Sequence, residues 1–428
     1  MNSRIFLFLA TLGTLPGNAQ DSHDAHDDSS AYEYKVGEVN YFTGEGVNPG
    51  GFLFPELFID TTGGVFEPGT NPEDLATNEH DPRSEASIQT IEMHLDLNLN
   101  DVLTGGFRGV AQEFEGSWEG NLEEAYLHHR LNEYLAIGGG QFLNEFGFQA
   151  SKHIHVWDFV NQNLVNSRML NEGELATQGG EAIFSLPGNA GRIIIGGGGV
   201  RTHNHDHDHG HGDEEEHGHH EDEDGDHDED ENHDEEEHHY DIDQAFFNDW
   251  IFSTDARFRM PFDDSMTTTA SIAIGENGFG ENTYVYGVGL EKVWGAHDHG
   301  NGPEFCEDAV MLRSEFIGRS IHGIDDEDGG AFEADDYGFS TALFYGLTES
   351  TTLSIRHDWV SELAEFEQSE RHRFSPAITT FLDRGERIRA RIQYDYDHGD
   401  DLPGEHAAWL QLQFQWGGQG GSHIGHDH

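Results

Sequence analysis

The chain has 428 residues, with 21 Lys and Arg against 83 Asp and Glu, so its formal net charge is −62 at pH 7. This charge argues against nucleic acid and anionic membrane surfaces as partners, because both would be repelled, and it favours cations. The single cysteine, Cys306, excludes an intrachain disulfide framework and a cysteine-rich zinc fold.

The first 19 residues have the layout of a secretory signal peptide. Arg4 precedes an apolar run from Ile5 to Leu15, which is followed by Pro16 and by small residues up to Ala19. The run is too short to cross a bilayer, so we expect cleavage after Ala19 and export of the chain, rather than a buried N-terminal strand. Residues 20–50 then form a polar N-terminal segment.

Apolar and polar residues alternate with a period of two in several later segments. The clearest examples lie at 91–100, 249–260, 387–396 and 408–416. In a β-strand this period places the apolar side chains on one face and the polar ones, such as Glu92 of the first segment, on the other. The segments therefore predict an all-β protein.

Alternation also fits a soluble sandwich with one wet face, but three features favour a membrane barrel. The strands reach about 9–11 residues, enough to cross a bilayer at a tilt. Their polar faces carry full charges, which suits a water-filled lumen. Aromatic side chains lie at strand ends, as in interfacial girdles: Tyr284, Tyr286, Trp294, Trp359, Tyr394 and Trp416. We therefore predict a transmembrane antiparallel β-barrel of about 16 strands (roughly 14–18) over residues 51–416, followed by a Gly/His tail at 417–428.

The connections between these strands alternate between short and long. Short turns are predicted at 100–101, 131–132, 187–190, 261–265, 347–350 and 383–386. Long connections are predicted at 61–84, 144–178, 203–239 and 320–333. With both termini periplasmic, the short set is periplasmic and the long set extracellular. The stretch 295–307 is long where a short turn is expected, which leaves open a miscounted strand pair.

The segment 203–239 interrupts the barrel with 12 His and 19 Asp and Glu among its 37 residues. It has no apolar residue to bury, so we expect a long, disordered extracellular loop. Imidazole and carboxylate groups bind Zn²⁺, Ni²⁺ or Cu²⁺, and a mobile backbone makes such sites weak and exchangeable. The alternative is a solvated acidic loop without a metal. The predicted ligands are His203, His205, His207, His209, His211, His217, His219, His220, His227, His233, His238 and His239.

Two weaker metal candidates lie elsewhere. His153, His155 and Asp158 follow a predicted strand in a long connection, of the kind that in porins folds into the lumen and narrows it. His297 and His299 lie near the single cysteine. Packing and hydrogen bonding explain these residues more readily than a metal does.

Arg387, Arg389 and Arg391 alternate along one strand and predict a positive strip that lines the pore. Such a strip would create a transverse field or pair with opposing carboxylates. The chain has no nucleophile elbow, HExxH motif or phosphate loop, so we do not expect an enzyme.

Part of the chain resembles a known group of proteins. The matching residues are Asn121–Tyr126, Gly140–Phe142, Phe146–Gly147, His153–Val160, Leu164–Val165 and Glu172–Gly173. Together they resemble porin-like outer-membrane proteins of Gram-negative bacteria that are often described as zinc-regulated outer-membrane receptors, best over 84–200. The resemblance implies a channel in the outer membrane. A receptor with a plug domain and a barrel of about 22 strands would not fit into the residues that follow the signal peptide.

These features predict an outer-membrane porin-like channel for small solutes, with an external loop that binds divalent metal, zinc first, and assists its uptake. One alternative is a surface metal-binding protein whose barrel is only an anchor, and another is an outer-membrane barrel enzyme. We expect no required cofactor, only loosely bound Zn²⁺, Ni²⁺ or Cu²⁺. The expected partners are outer-membrane lipid, small solutes and divalent cations, and the chain forms either a homotrimer or a monomer.

Overall fold

The computed structural model describes residues 53–100, 102–114, 117–201, 240–295, 306–324, 329–383, 387–399 and 404–417. The signal peptide, the polar N-terminal segment, the histidine-rich segment 203–239, His297 and His299 lie outside these residues, as does the tail from residue 418. The predictions made for them stay predictions.

Within the described ranges, sixteen antiparallel strands form one closed barrel, as predicted. Each strand pairs with its neighbours in the chain, and β1 closes the barrel against β16. The strands are β1 (Leu53–Phe66), β2 (Ala86–Asn100), β3 (Leu103–Phe114), β4 (Ser117–Asn132), β5 (Leu135–Leu143), β6 (Ala176–Ser185), β7 (Gly191–Val200), β8 (Phe247–Met260), β9 (Asp263–Asn277), β10 (Asn282–Trp294), β11 (Val310–Ile324), β12 (Ala331–Thr348), β13 (Thr351–Val360), β14 (Arg371–Phe381), β15 (Ile388–Gly399) and β16 (Glu405–Gly417).

The alternation in the sequence places the apolar side chains on the outside of the barrel. On β2, Met93 is exposed whereas Glu92 and His94 are buried. On β16, Leu410 is exposed whereas Gln411 is buried. Because neighbouring side chains on a strand point to opposite faces, this pattern gives an apolar outer surface and a polar interior.

The end of the barrel that carries the short turns matches the prediction closely. Its connections are 101–102, 133–134, 186–190, 261–262, 349–350 and 382–387. The long connection at this end joins Trp294 of β10 to Val310 of β11, which pair directly. No strand pair was therefore miscounted there among the described residues.

At the opposite end, three predicted long connections are wrong in their bounds. The connection predicted at 144–178 ends at residue 175, because β6 begins at Ala176. The connection predicted at 61–84 begins only after Phe66, where β1 ends. The connection predicted at 320–333 shrinks to 325–330, because β11 continues to Ile324 and β12 begins at Ala331. Acidic and glycine residues in that stretch hide the alternation, although the strands pair there, with Ile324 opposite Ala331.

The constriction loop, which we define as residues 144–175 between β5 and β6, folds into the barrel as predicted. Its helix α2 begins after Asn163, whose side chain accepts a hydrogen bond from the backbone of Asn166 at 2.7 Å. Val165 of this helix is fully buried in an apolar cluster with Ile317 and Val360 of the barrel wall. The loop thus occupies part of the barrel interior.

The short helices of the described residues all lie in connections. Two are α-helices, α1 (Pro72–Leu75) and α2 (Leu164–Met169). The 3₁₀ helices are Ile154–Val156, Asn171–Gly173, Pro187–Asn189, Ile242–Ala245 and Ala364–Phe366. No helix in the described ranges is long and apolar enough to cross a membrane.

Candidate functional site

Two arginines of the predicted positive strip hold the constriction loop against the wall. Arg389 donates a hydrogen bond to the carbonyl of His155 at 2.7 Å, and Arg391 donates one to the carbonyl of Trp157 at 2.6 Å. Both guanidinium groups are buried beneath the loop. Arg387 precedes β15 and is exposed in the turn. The strip therefore has two residues on the wall instead of three, and they bind the loop.

Three buried aspartates of the barrel wall are paired with arginine. These pairs are Arg319 with Asp336 at 2.8 Å, Arg356 with Asp358 at 2.9 Å, and Arg373 with Asp397 at 2.8 Å. Their charges are compensated locally, which is the usual condition for burying a carboxylate. These three carboxylates therefore need no further cation.

Asp158 of the constriction loop is also a buried carboxylate that pairs with cations. Its carboxylate lies 3.3 Å from Nζ of Lys152 and 2.6 Å from the guanidinium of Arg313. Burial opposes its ionisation, but Lys152 and Arg313 outweigh burial and hold the pKa of Asp158 well below its usual range. The structure therefore groups Asp158 with these cations, and the predicted metal point of Asp158 with His153 and His155 does not form.

His153 lies between two consecutive glutamates of β4. Its Nδ1 is 2.8 Å from Glu123 and its Nε2 is 3.1 Å from Glu124. Both nitrogens can donate only in the imidazolium form. Burial disfavours that form, but the two carboxylates overcome it and hold the pKa of His153 well above its ordinary value. His153 is therefore a buried cation that ties the loop to β4, and it has no nitrogen left to bind a metal.

A β-bulge explains why both glutamates point inward. Arg108 of β3 pairs with Glu124, whereas the next residue, Gly109, pairs with Leu122, so Glu123 is an extra residue in β4. An extra residue shifts the alternation by one position, which lets two consecutive side chains share a face. Glu123 and Glu124 are both buried inside the barrel as a result.

His155 contributes to a second group on β2. Its Nδ1 lies 2.8 Å from Oε2 of Glu92, and its backbone N–H donates to Oε1 of the same residue at 2.9 Å. Nε2 of His94 lies 3.1 Å from Oε2 of Glu92. Phe58 stacks on the His155 ring at 4.0 Å. Glu92, His94 and His155 have ligand atoms close enough together to hold a metal ion.

The connection between β1 and β2 brings a fourth histidine to this region. Nε2 of His80 lies 3.1 Å from Glu79, 3.3 Å from Glu123 and 3.9 Å from Glu174. Burial lowers the pKa of His80, but Glu79 and Glu123 outweigh burial and hold this pKa well above its ordinary value. Burial together with the negative charge of Glu123 raises the pKa of Glu174 to about 8.

These contacts define one buried acid–histidine cluster. Its members are Glu79, His80, Glu92, His94, Glu123, Glu124, His153, His155 and Glu174. Within the described part of the chain, the ion pairs of Glu92, Glu123 and Glu174 are with histidines. The cluster thus differs from the arginine-paired wall, because these three carboxylates pair with groups that can exchange a proton for a metal ion.

The sequence patterns predicted part of this cluster. The alternation on β2 placed Glu92 on the polar face, and His155 was a metal candidate. Glu79, His80 and Glu174 were missed, because they lie in connections, where no periodicity indicates which side chains converge. The acid–histidine pair Glu79-His80 in a long connection was the available signal.

Cys306 lies before β11 and is not a member of the cluster. It is a free and buried cysteine. Residues 296–305, which include the nearby histidine candidates, lie outside the described residues. No group of ligands around Cys306 is therefore assigned.

No protein-family model and no curated protein matches this chain. Solved structures do match its fold. The anion-selective porin from Comamonas acidovorans superposes with a TM-score of 0.52 at 9% sequence identity, over 85% of this chain and 99% of that chain. OmpF of Salmonella typhi, in complex with daunomycin, gives 0.51 at 10% identity, over 85% and 97%. The outer-membrane channel DcaP of Acinetobacter baumannii gives 0.51 at 8% identity, over 85% and 96%.

These neighbours are outer-membrane proteins whose barrels align with almost their whole length. At such low identity the likeness concerns the fold alone. The chain therefore has the closed barrel fold of outer-membrane porins.

Proposed function

We propose that the protein is a porin-like channel of the outer membrane that passes small solutes and favours cations, divalent metal ions among them. The observation that carries this proposal is the acid–histidine cluster at the constriction loop. Carboxylates at a narrow, low-dielectric passage concentrate cations and repel anions. The apolar outer surface of the barrel and the fold of its structural neighbours support the membrane location.

Zinc is the favoured metal, for two reasons drawn from the sequence. The histidine-rich segment 203–239 offers imidazole and carboxylate ligands, and on the predicted topology it lies outside the cell. The motifs around Glu123 resemble the group described as zinc-regulated outer-membrane receptors. We infer that the segment gathers metal loosely and raises its local concentration at the channel entrance.

Reversal potentials in a planar bilayer test this proposal. Under a KCl gradient, the folded protein should show greater permeability to potassium than to chloride. The double variant Glu92→Gln/Glu124→Gln should lower that ratio by about twofold or more, since two negative charges at the constriction are removed. Glu67→Gln is the matched control, because Glu67 is exposed in the connection after β1. Anion preference in the unaltered protein would contradict the proposal.

A second candidate function is a surface metal-binding protein whose barrel serves as an anchor with a closed lumen. The observation that favours it is the burial of inward-facing wall residues next to the loop, such as Thr269, Thr379 and Gln411. A folded protein that binds zinc but carries no current would support this candidate instead.

A further inference from the structure

We propose that Glu79, His80, Glu123 and Glu174 form a buried site for one divalent transition-metal ion of the zinc type. This site lies inside the barrel and is separate from the histidine-rich segment. It goes beyond the proposed channel, because a resident ion in this site need not cross the membrane.

The distances within the quartet fit a metal site. The three carboxylate oxygens lie 3.1, 3.3 and 3.9 Å from Nε2 of His80. Ligands that lie about 2.0–2.2 Å from a tetrahedral zinc ion are separated from each other by roughly 3.4 Å. The ligand atoms of Glu79, His80 and Glu174 all lie within 4.8 Å of one another, close enough to hold a single ion, and Glu123 contacts the same nitrogen of His80.

The His80 ring supplies an independent observation. Its Nε2 is buried and forms no hydrogen bond, although carboxylate oxygens lie around it. Its Nδ1 lies 2.6 Å from Oε1 of Gln112, so Nε2 is the ring nitrogen that faces the carboxylates. The negative charge around Nε2 requires a cation in this buried site, and a divalent metal ion bound to Nε2 would replace the proton of the imidazolium form. Gln112 thus holds the ring as an outer-sphere partner holds a metal-binding histidine.

Glu174 repeats this feature. Its side chain is buried, and its Oε2 forms no hydrogen bond. Buried carboxyl oxygens are normally paired, so an unpaired one near Nε2 of His80 offers a further ligand atom for a cation. The mixture of imidazole and carboxylate ligands selects a transition metal over Mg²⁺ or Ca²⁺, which prefer oxygen ligands only.

The quartet joins three separate parts of the fold. Glu79 and His80 belong to the connection between β1 and β2, and Glu123 belongs to β4. Glu174 lies near the end of the constriction loop. An ion bound by all four would therefore cross-link the loop to the wall. We expect bound metal to slow the opening of the constriction loop.

Anomalous diffraction locates the ion directly. Crystals of the full chain, grown with Zn²⁺, should show a zinc-edge anomalous peak between His80 and Glu174. In parallel, zinc retained per chain after gel filtration should fall by one in Glu174→Gln and in His80→Gln. Glu145→Gln is the matched control, because Glu145 is a loop carboxylate that pairs with Arg192 and Arg257 instead.

The inference fails if the anomalous map has no peak at the quartet, or if folded Glu174→Gln retains as much zinc as the unaltered protein. Heat-modifiable gel mobility shows which variants are folded. If His80→Gln does not fold, the zinc content of Glu174→Gln alone decides the test. Conductance separates this site from the channel proposal. A zinc peak without current refutes the channel alone, and current without the peak refutes the site alone.

Discussion

The Nδ1 atom of His153 lies 2.8 Å from a carboxylate oxygen of Glu123, so a buried ion pair ties the constriction loop to β4. The second ring nitrogen reaches Glu124, and both glutamates face inward only because of the bulge in β4. The β-bulge thus creates the site at which the loop is attached to β4. Bulges commonly redirect side chains at functional sites in this way.

Replacing this histidine should loosen the loop. His153→Gln keeps hydrogen-bonding groups but cannot carry the charge, so two buried carboxylates lose their cation. Breaking a buried ion pair in this way costs about 3 kcal/mol. Amide exchange in residues 144–175 should therefore become roughly 100-fold faster.

The control for this change is His129→Gln on the same strand, where the side chain is exposed on the outer face. Amide exchange in the constriction loop of this control should be as fast as in the unaltered protein. Equal protection of the loop in His153→Gln and in the unaltered protein would show that the ion pair does not hold it.

The arginines of β15 should control how much of the lumen the loop occupies. Arg391 donates to the carbonyl of Trp157 and to the side chain of Gln411. Arg391→Met removes these bonds and a third one to Thr379, but only the bond to Trp157 joins the loop to the wall. The attachment of the loop should weaken by roughly 1.5–3 kcal/mol, since hydrogen bonds from a charged group are strong. We expect a higher single-channel conductance with more current noise.

Arg387→Gln is the matched control for Arg391→Met, because it removes the same charge from the turn before the strand. Its conductance should equal that of the unaltered protein. A conductance that falls in Arg391→Met would show that the arginine lines the ion path instead of holding the loop.

The strand pattern was predictable because each strand is amphipathic on its own. Glu92 and Met93 point to opposite faces, and their polarity alone indicates which faces inward. The same rule fails at Glu123 and Glu124, where simple alternation would leave one glutamate on the outer surface. The bulge depends on pairing with β3, a contact that no local pattern encodes.

The candidate site was less predictable, since its members are distant in the chain. His80 and Glu174 are separated by more than ninety residues, and only the closed barrel brings their connections together. For Asp158, the sequence indicated a carboxylate near two histidines but not the competing cation Arg313, which belongs to β11. The histidines next to Asp158 in the sequence suggested a metal site there, whereas in the folded protein Asp158 forms an ion pair with Arg313.

Asp158 should stabilise the loop across a wide pH range. Its folded-state pKa lies below its ordinary value, so its charge stabilises the folded protein above the unfolded-state pKa. That contribution is lost only as the pH falls through the folded-state pKa. Asp158→Asn should therefore increase amide exchange in the loop equally at about pH 7 and pH 5. Exposed Asp335→Asn should leave the exchange unchanged. A difference that vanishes at the lower pH would show that Asp158 titrates in the ordinary range.

The histidine-rich segment should be dispensable for folding but not for metal capacity. Suppose that residues 203–239 are replaced by a short Gly/Ser turn. The segment has no apolar residue to contribute to a core, and closing a loop of that length costs only about (3/2)RT ln n in entropy. The barrel should therefore fold as well as before or slightly better, because crowded negative charge is removed. Heat-modifiable gel mobility measures this outcome.

Metal capacity should fall sharply in the same variant, because 12 of the 30 histidines are removed. In titration calorimetry with zinc, the shortened variant should lack the many weak sites of the segment. It should keep the tighter site at His80 that we propose above. A control replaces only the 12 histidines with glutamine, which keeps the length and the acidic charge of the segment. If both variants bind as much zinc as the unaltered protein, the segment is only a solvated acidic loop. If the glutamine variant folds and the shortened one does not, the segment has a structural role that its composition does not indicate.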